Sequence, residues 1–177
     1  EDQAPHVELT REIARRFNHV FGEVFPVPDL LLAPTSKLLG LDRRKMSKSY
    51  GNAIFLSDDA ETVGTKVSRM VTDPQRARKS DPGDPSICNV FAFHEFYTDP
   101  GTVRQIEADC RKAEIGCVTC KKRMAENLNR ALEPIREKRR ALEAAPDTVR
   151  AIMARGTEKA RAIARRTMEE VREKVRI

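Results

Sequence analysis

The sequence predicts an α/β segment followed by an all-helical bundle. Three observations carry that prediction. Short apolar runs of strand length alternate with helical patterns through residues 1–80; a loop rich in Pro, Asp and basic residues follows; and from residue 86 onward the apolar positions recur at helical spacing. We therefore divide the chain into residues 1–80 and 81–177. With 177 residues, 40% hydrophobic and 34% charged, the composition is that of a globular protein with an adequate core. No apolar run approaches the roughly 18 residues needed to span a membrane. No secretory leader is expected, and a start at Glu1 suits a processed protein or a piece of a longer one.

Residues 7–25 read as an amphipathic helix, with Ile13, Phe17, Val20 and Phe21 on one stripe and Arg11, Arg15 and Arg16 outside it. Prolines 26 and 28 stop it. The runs 30–32 and 38–39 are strand-length pieces around a Pro-Thr-Ser break, and 53–56 is a third, beyond a polar basic loop at 42–52. Ser57 and Asp58 with Glu61 predict the start of a helix reaching about Met70. Residues 72–85 form the linking loop. Val90, Phe91, Phe93, Phe96 and Tyr97 mark a short apolar helix, and Val103, Ile106 and Cys110 the next. A long helix is predicted over 119–145, striped by Met124, Leu128, Leu132, Ile135 and Leu142 and kinked at Pro134. Pro146 suits the first turn of another helix, Gly156 its end, and Thr157 the cap of a last one.

The most specific pattern is Lys45-Met46-Ser47-Lys48-Ser49, followed by Tyr50-Gly51-Asn52. Two lysines three apart, interleaved with two hydroxyls on a loop, present cations and donors to one polyphosphate. When ATP is attacked at its α-phosphorus, charge develops on the departing pyrophosphate. Stabilisation aimed at that developing charge speeds the reaction, whereas equal affinity for bound ATP does not. The bland alternative is a basic, Ser-rich surface turn.

Residues 38–54, centred on this motif, resemble class I aminoacyl-tRNA synthetases and, within them, the tryptophanyl enzymes. Glu1-Asp2-Gln3, residues 10–18, and residues 116–122 with 125–128 resemble the same family, so the likeness covers essentially the whole chain. It implies the second half of a Rossmann-like catalytic domain joined to a helical tRNA anticodon-binding domain. It implies ATP with Mg2+ as substrate, with Lys45 and Lys48 catalytic on the phosphates. Glu1, Asp2, Leu38, Met46, Ser47 and Ser49 would complete the ATP site, with Leu38 and Met46 against adenine and Asp2 on the ribose. Gln3 would help hold tryptophan. The partners implied are the tRNA for tryptophan and a second copy in a homodimer, in the cytoplasm. The family's HIGH-type signature and indole-recognising segment are not in this sequence, so a missing N-terminal half is a further implied partner, and the chain alone should catalyse little. Tyrosyl-tRNA synthetases share the architecture and are the enzyme runner-up. A non-catalytic RNA-binding module with a relic loop is the rival from another class.

Cys88, Cys110, Cys117 and Cys120 are the only cysteines, and 117 and 120 can grip one centre from both ends of a turn. Four thiolates suit zinc or an iron–sulfur cluster. A single CxxC knuckle leans toward iron–sulfur, and some bacterial tryptophanyl enzymes carry a [4Fe–4S] cluster at similar spacing. Four reduced thiols are the plain alternative. Charge is uneven: residues 1–103 carry 13 Lys+Arg against 15 Asp+Glu, and 104–177 carry 20 against 12. Clusters at 121–123, 136–140 and 161–176 fit phosphate contact with an RNA stem-loop, although Glu at helical spacing also describes a merely solvated face. His94, among aromatics, reads as a buried polar histidine rather than a ligand.

Overall fold

The computed structural model describes residues 3–32 and 38–176. Among them are six α-helices: α1 (Ala4–Phe21), α2 (Ala60–Arg69), α3 (Asn89–Tyr97), α4 (Pro100–Arg111), α5 (Cys117–Glu143) and α6 (Pro146–Val175). Two compact units are formed, one from residues 37–141 and the other from residues 1–36 with 142–177.

The unit of residues 37–141 is built on one apolar cluster. Val63, Val67 and Met70 from α2 and its C-cap, Val90 and Phe93 from α3, and Met124, Leu128 and Leu132 from α5 are all buried. Burying each such side chain contributes about 1.5–3 kcal/mol. The sequence stripe on α5 therefore holds for its first three members, while Ile135 and Leu142 stay exposed. Asp59 caps α2 by accepting from the Thr62 N–H (2.7 Å), one residue later than the predicted start, and Asp99 caps α4 through Thr102 (2.9 Å). Arg136 is buried at 6% exposure and donates to the Asp58 carbonyl (2.8 Å) and to the Asn129 side chain (2.7 Å). The 136–140 cluster is thus not wholly a basic face: its first member is a structural strut, and Arg140 pairs with Glu133 at 2.7 Å.

In the other unit, α1 starts at Ala4, with Pro5 in its first turn, and stops at Gly22, whose φ of 96° only glycine adopts readily. Asn18 folds the following residues back: its Oδ1 accepts from the Val24 and Phe25 N–H groups and its Nδ2 donates to the Phe25 carbonyl. Phe17 packs on Phe21 and Phe25. The predicted stripe is only partly covered, since Ile13 and Val20 are 61% and 59% exposed.

Two expectations are corrected. The α/β reading finds no strand among the described residues; Leu39 makes one isolated antiparallel bridge with Lys45, and 53–56 runs into a turn at 56–57. Strand-length apolar runs become strands only beside neighbours that accept their backbone hydrogen bonds. Nor does Gly156 end a helix: α6 runs unbroken through it, and Thr157 caps nothing. A lone glycine costs about 1 kcal/mol against Ala, which the flanking Ala, Arg, Glu and Met outweigh. Helix α5 likewise continues through Pro134.

Candidate functional site

The basic loop is a closed turn on the edge of the apolar cluster. At its start the Gly40 N–H donates to the Arg44 carbonyl (2.7 Å), and Arg43 takes a left-handed φ of 65°. At its far end, Lys48–Tyr50 forms a 3₁₀ turn closed by left-handed Gly51. Asn52 joins the two ends. It is 3% exposed; its Oδ1 accepts from the Ser47 N–H (2.9 Å), and its Nδ2 donates to Asp42 Oδ1 (2.8 Å) and to the Lys45 carbonyl (3.1 Å). Gly40 is required beneath it, because a Cβ there would stand 2.3 Å from Asn52 Nδ2. Asp42 also accepts from Arg44, whose guanidinium lies over the Tyr50 ring at 4.9 Å. The Asn52 amide first, and Arg44 after it, hold the Asp42 carboxyl down at about 2.

Lys45, Lys48 and Ser49 are exposed on this turn, and the Ser47 and Ser49 hydroxyls lie 2.8 Å apart. Leu38 and Met46 are half-buried against the apolar cluster, together with Leu41 and Ile54. That packing anchors the loop, while its lysines reach outward. Gln3 belongs to the other unit, where it is the exposed N-cap of α1 and lines a cleft of about 190 Å³ with His6, Val7, Thr10 and Pro28. Glu1 and Asp2 lie outside the described residues, as does the Pro-Thr-Ser break at 34–36. Asn52, whose geometry organises the loop, was visible only as the last letter of a turn signature.

The four cysteines are brought into one neighbourhood, all half-buried and all reduced. Burial, then the nearness of the other three thiols, pushes Cys120 up to about 12, and burial likewise raises Cys88 and Cys110. Nitrogen groups nevertheless lie near the sulfurs. Backbone hydrogen bonds from Phe91, Val90 and Asp73 offset part of that rise at Cys88. Arg76 Nη1 lies 3.9 Å from both Cys110 and Cys117, and His94 Nε2 lies 3.5 Å from Cys120. Gly83 closes the pocket: its N–H donates to the Cys110 carbonyl, and a Cβ there would come within 2.6 Å of the Cys110 sulfur. Asp73, buried, fixes this segment by accepting from the Gln75 and Asp84 N–H groups. Among the described residues no three His, Cys, Asp or Glu are placed to hold a single metal ion. His94 is fully buried, hydrogen-bonded to Thr98, and held below the usual imidazole range by burial, the polar core role its aromatic neighbours suggested. Beside the thiols, a cleft of about 430 Å³ is lined by Arg76, Arg78, Lys79, Gly116 and Thr119.

Comparison with known proteins fits this geometry. A family model for "tRNA synthetases class I (W and Y)" matches residues 1–133. The chain is 54% identical over 173 residues to the tryptophan–tRNA ligase of Aquifex aeolicus, covering 97% of this chain and 44% of that protein. It is 47% identical over 173 residues to the tryptophan–tRNA ligase of Thermotoga maritima, covering 97% and 53%. The tryptophanyl-tRNA synthetase of Campylobacter jejuni, solved with ADP and tryptophan, superposes with a TM-score of 0.79 at 31% identity, over 100% of this chain and 55% of that one. The chain spans about half the length of the relatives it matches.

Proposed function

Because the chain belongs to the class I tRNA synthetases of the W and Y group, we propose that it is the phosphate-handling and tRNA-binding part of a tryptophan–tRNA ligase. The parent reaction joins tryptophan to ATP as tryptophanyl-adenylate, with Mg2+, and then transfers it to tRNA. The relatives' names favour tryptophan over tyrosine. The observation that carries the reading is the loop itself: two lysines and two hydroxyls displayed on a turn whose ends Asn52 ties together.

Lys45 and Lys48 hold positive charge where pyrophosphate departs. A cation about 4 Å from such charge is worth roughly 4 kcal/mol at an effective dielectric near 20. Ser47 and Ser49 donate to the same phosphates. Leu38 and Met46 offer an apolar edge to the adenine, Glu1 and Asp2 complete the nucleotide site, and Gln3 orients tryptophan. In this reading residues 1–80 serve the catalytic domain and 81–177 the anticodon end of the tRNA, with Lys122 and Arg123 meeting phosphates. The exposed apolar positions of α1 suit contact with the remaining half of the catalytic domain or a second subunit. No described helix is long and apolar enough to cross a membrane, and we place the activity in the cytoplasm with the rest of translation.

The four cysteines hold a [4Fe–4S] cluster in this reading. What supports it is that four free cysteines share one neighbourhood, with the Arg76 guanidinium beside Cys110 and Cys117. When bound, the cluster supplies a rigid cross-link among the four segments that bear the thiolates.

The test is tryptophan-dependent ATP–pyrophosphate exchange, with the missing half co-expressed. Lys48→Ala should lower the exchange rate far more than ATP affinity; equal losses in both contradict a transition-state role. No exchange, with tRNA binding intact, favours a non-catalytic RNA module.

A further inference from the structure

Asn89 opens α3 at 2% exposure, next to the buried Val90. Its Nδ2 donates to the Gly40 carbonyl at 2.8 Å, a bond between residues 49 apart in sequence. Its Oδ1 is buried without a partner. An orphaned acceptor weakens a core, and an apolar side chain of similar shape would avoid it. The contribution of this amide is therefore its bond to the base of the basic loop. The neighbouring bonds close that loop on itself. The Gly40 N–H donates to the Arg44 carbonyl (2.7 Å), the Gly40 carbonyl also accepts from the Arg43 N–H (3.0 Å), and the Leu41 N–H donates to the Asn52 carbonyl (2.9 Å). Asn89 instead ties the loop to a helix of the core.

We propose that Asn89 is a positioning residue for the basic loop: by holding the Gly40 carbonyl it fixes the loop's base against α3, and with it the place where Lys45 and Lys48 meet departing pyrophosphate. The proposal rests on the ligase reading above and deepens it, since that reading gives α3 no part in the chemistry. Asn89 touches no substrate and moves no proton. Freed at its base, the loop still offers two cations and two hydroxyls to bound ATP. It no longer holds them in the one geometry the transition state needs, so the loss falls on kcat rather than on KM for ATP.

The experiment uses the full chain co-expressed with the missing half, as wild type, Asn89→Leu and Asn89→Ala. Leu keeps the branched shape without the donor, and Ala removes both. The readouts are native-state hydrogen exchange and the kinetics of tryptophan-dependent ATP–pyrophosphate exchange. In both variants the amides at 40–51 should exchange roughly fivefold faster and kcat should fall roughly fivefold, as the loss of one net hydrogen bond implies. KM for ATP and the amides at 124–132 of α5 should stay within about twofold of wild type. Loop amides and kcat that match wild type in both variants overturn the role of Asn89 while leaving the ligase reading standing. A loss in Asn89→Ala that Asn89→Leu does not share overturns it too, because filled volume then matters and the donor does not. Equal loosening of α5 has the same force, since it marks general destabilisation. Wild type without exchange activity overturns the ligase reading and this inference with it, whatever the loop amides do.

Discussion

Replacing Asn52 by Ala removes the amide that holds the basic loop shut. Three hydrogen bonds go with it: from the Ser47 N–H at 2.9 Å, to Asp42 at 2.8 Å and to the Lys45 carbonyl at 3.1 Å. At about 1 kcal/mol net apiece they amount to about 3 kcal/mol. Water can reach the released groups of Lys45 and Ser47, so the larger penalty of a buried orphan does not apply. With a factor of ten for every 1.4 kcal/mol, amides at 45–51 should exchange roughly a hundredfold faster, while those of α2 and α3 hardly change. Native-state hydrogen exchange read by mass spectrometry makes the comparison. Asn52→Asp should loosen the loop at least as much near neutral pH, because it sets a carboxylate against Asp42. Exchange at 45–51 within about twofold of wild type in Asn52→Ala would refute the staple and with it the account of how the lysines are presented.

The Asp42 carboxyl lies at about 2, below its ordinary 3.8, so its contribution is complete above the unfolded value and is lost as pH falls through about 2. Acid unfolding of Asp42→Asn should therefore be flatter than wild type between about pH 4 and 2, and parallel to it above about pH 5. Arg136→Met should destabilise the unit of residues 37–141 by about 3 kcal/mol, as urea midpoints would show, because it strips partners from Asp58 and Asn129. Arg136→Lys should recover little of that, a single ammonium being unable to reach both groups. Gly156→Ala should stabilise α6 by about 1 kcal/mol, visible as slower exchange around 156, since nothing lies within 4 Å of the new methyl.

The helices of the second half were legible because their signals are local. Met124, Leu128 and Leu132 sit four apart, and they are the side chains that close the core. The strand prediction fared differently because strands depend on neighbours: residues 38–39 and 53–56 have the right composition, but among the described residues they find one bridge. Gly156 misled for the opposite reason, as a local breaker overruled by thirty residues of helix. In the loop, the motif named the lysines but not what shapes them. The dependence of Gly40 on Asn52 crosses twelve residues and is invisible to periodicity. Arg76 carries no sequence signal at all, since a lone Arg in a Pro- and Asp-rich loop reads as a surface charge; only folding sets it 34 and 41 residues away, beside two sulfurs.

Helix α5 begins at Cys117 and delivers Arg136 to the Asp58 carbonyl, the segment that leads out of the loop. Between those residues the helix advances about 29 Å and turns about 100° for every residue. Its length there is consequently fixed in the way a key's teeth are fixed. Inserting or deleting one residue between 117 and 136 would point the guanidinium into solvent or the thiol away from its companions, and no shift of the rod could restore both. Beyond residue 136 the same helix is free of that constraint, so variation in length belongs there.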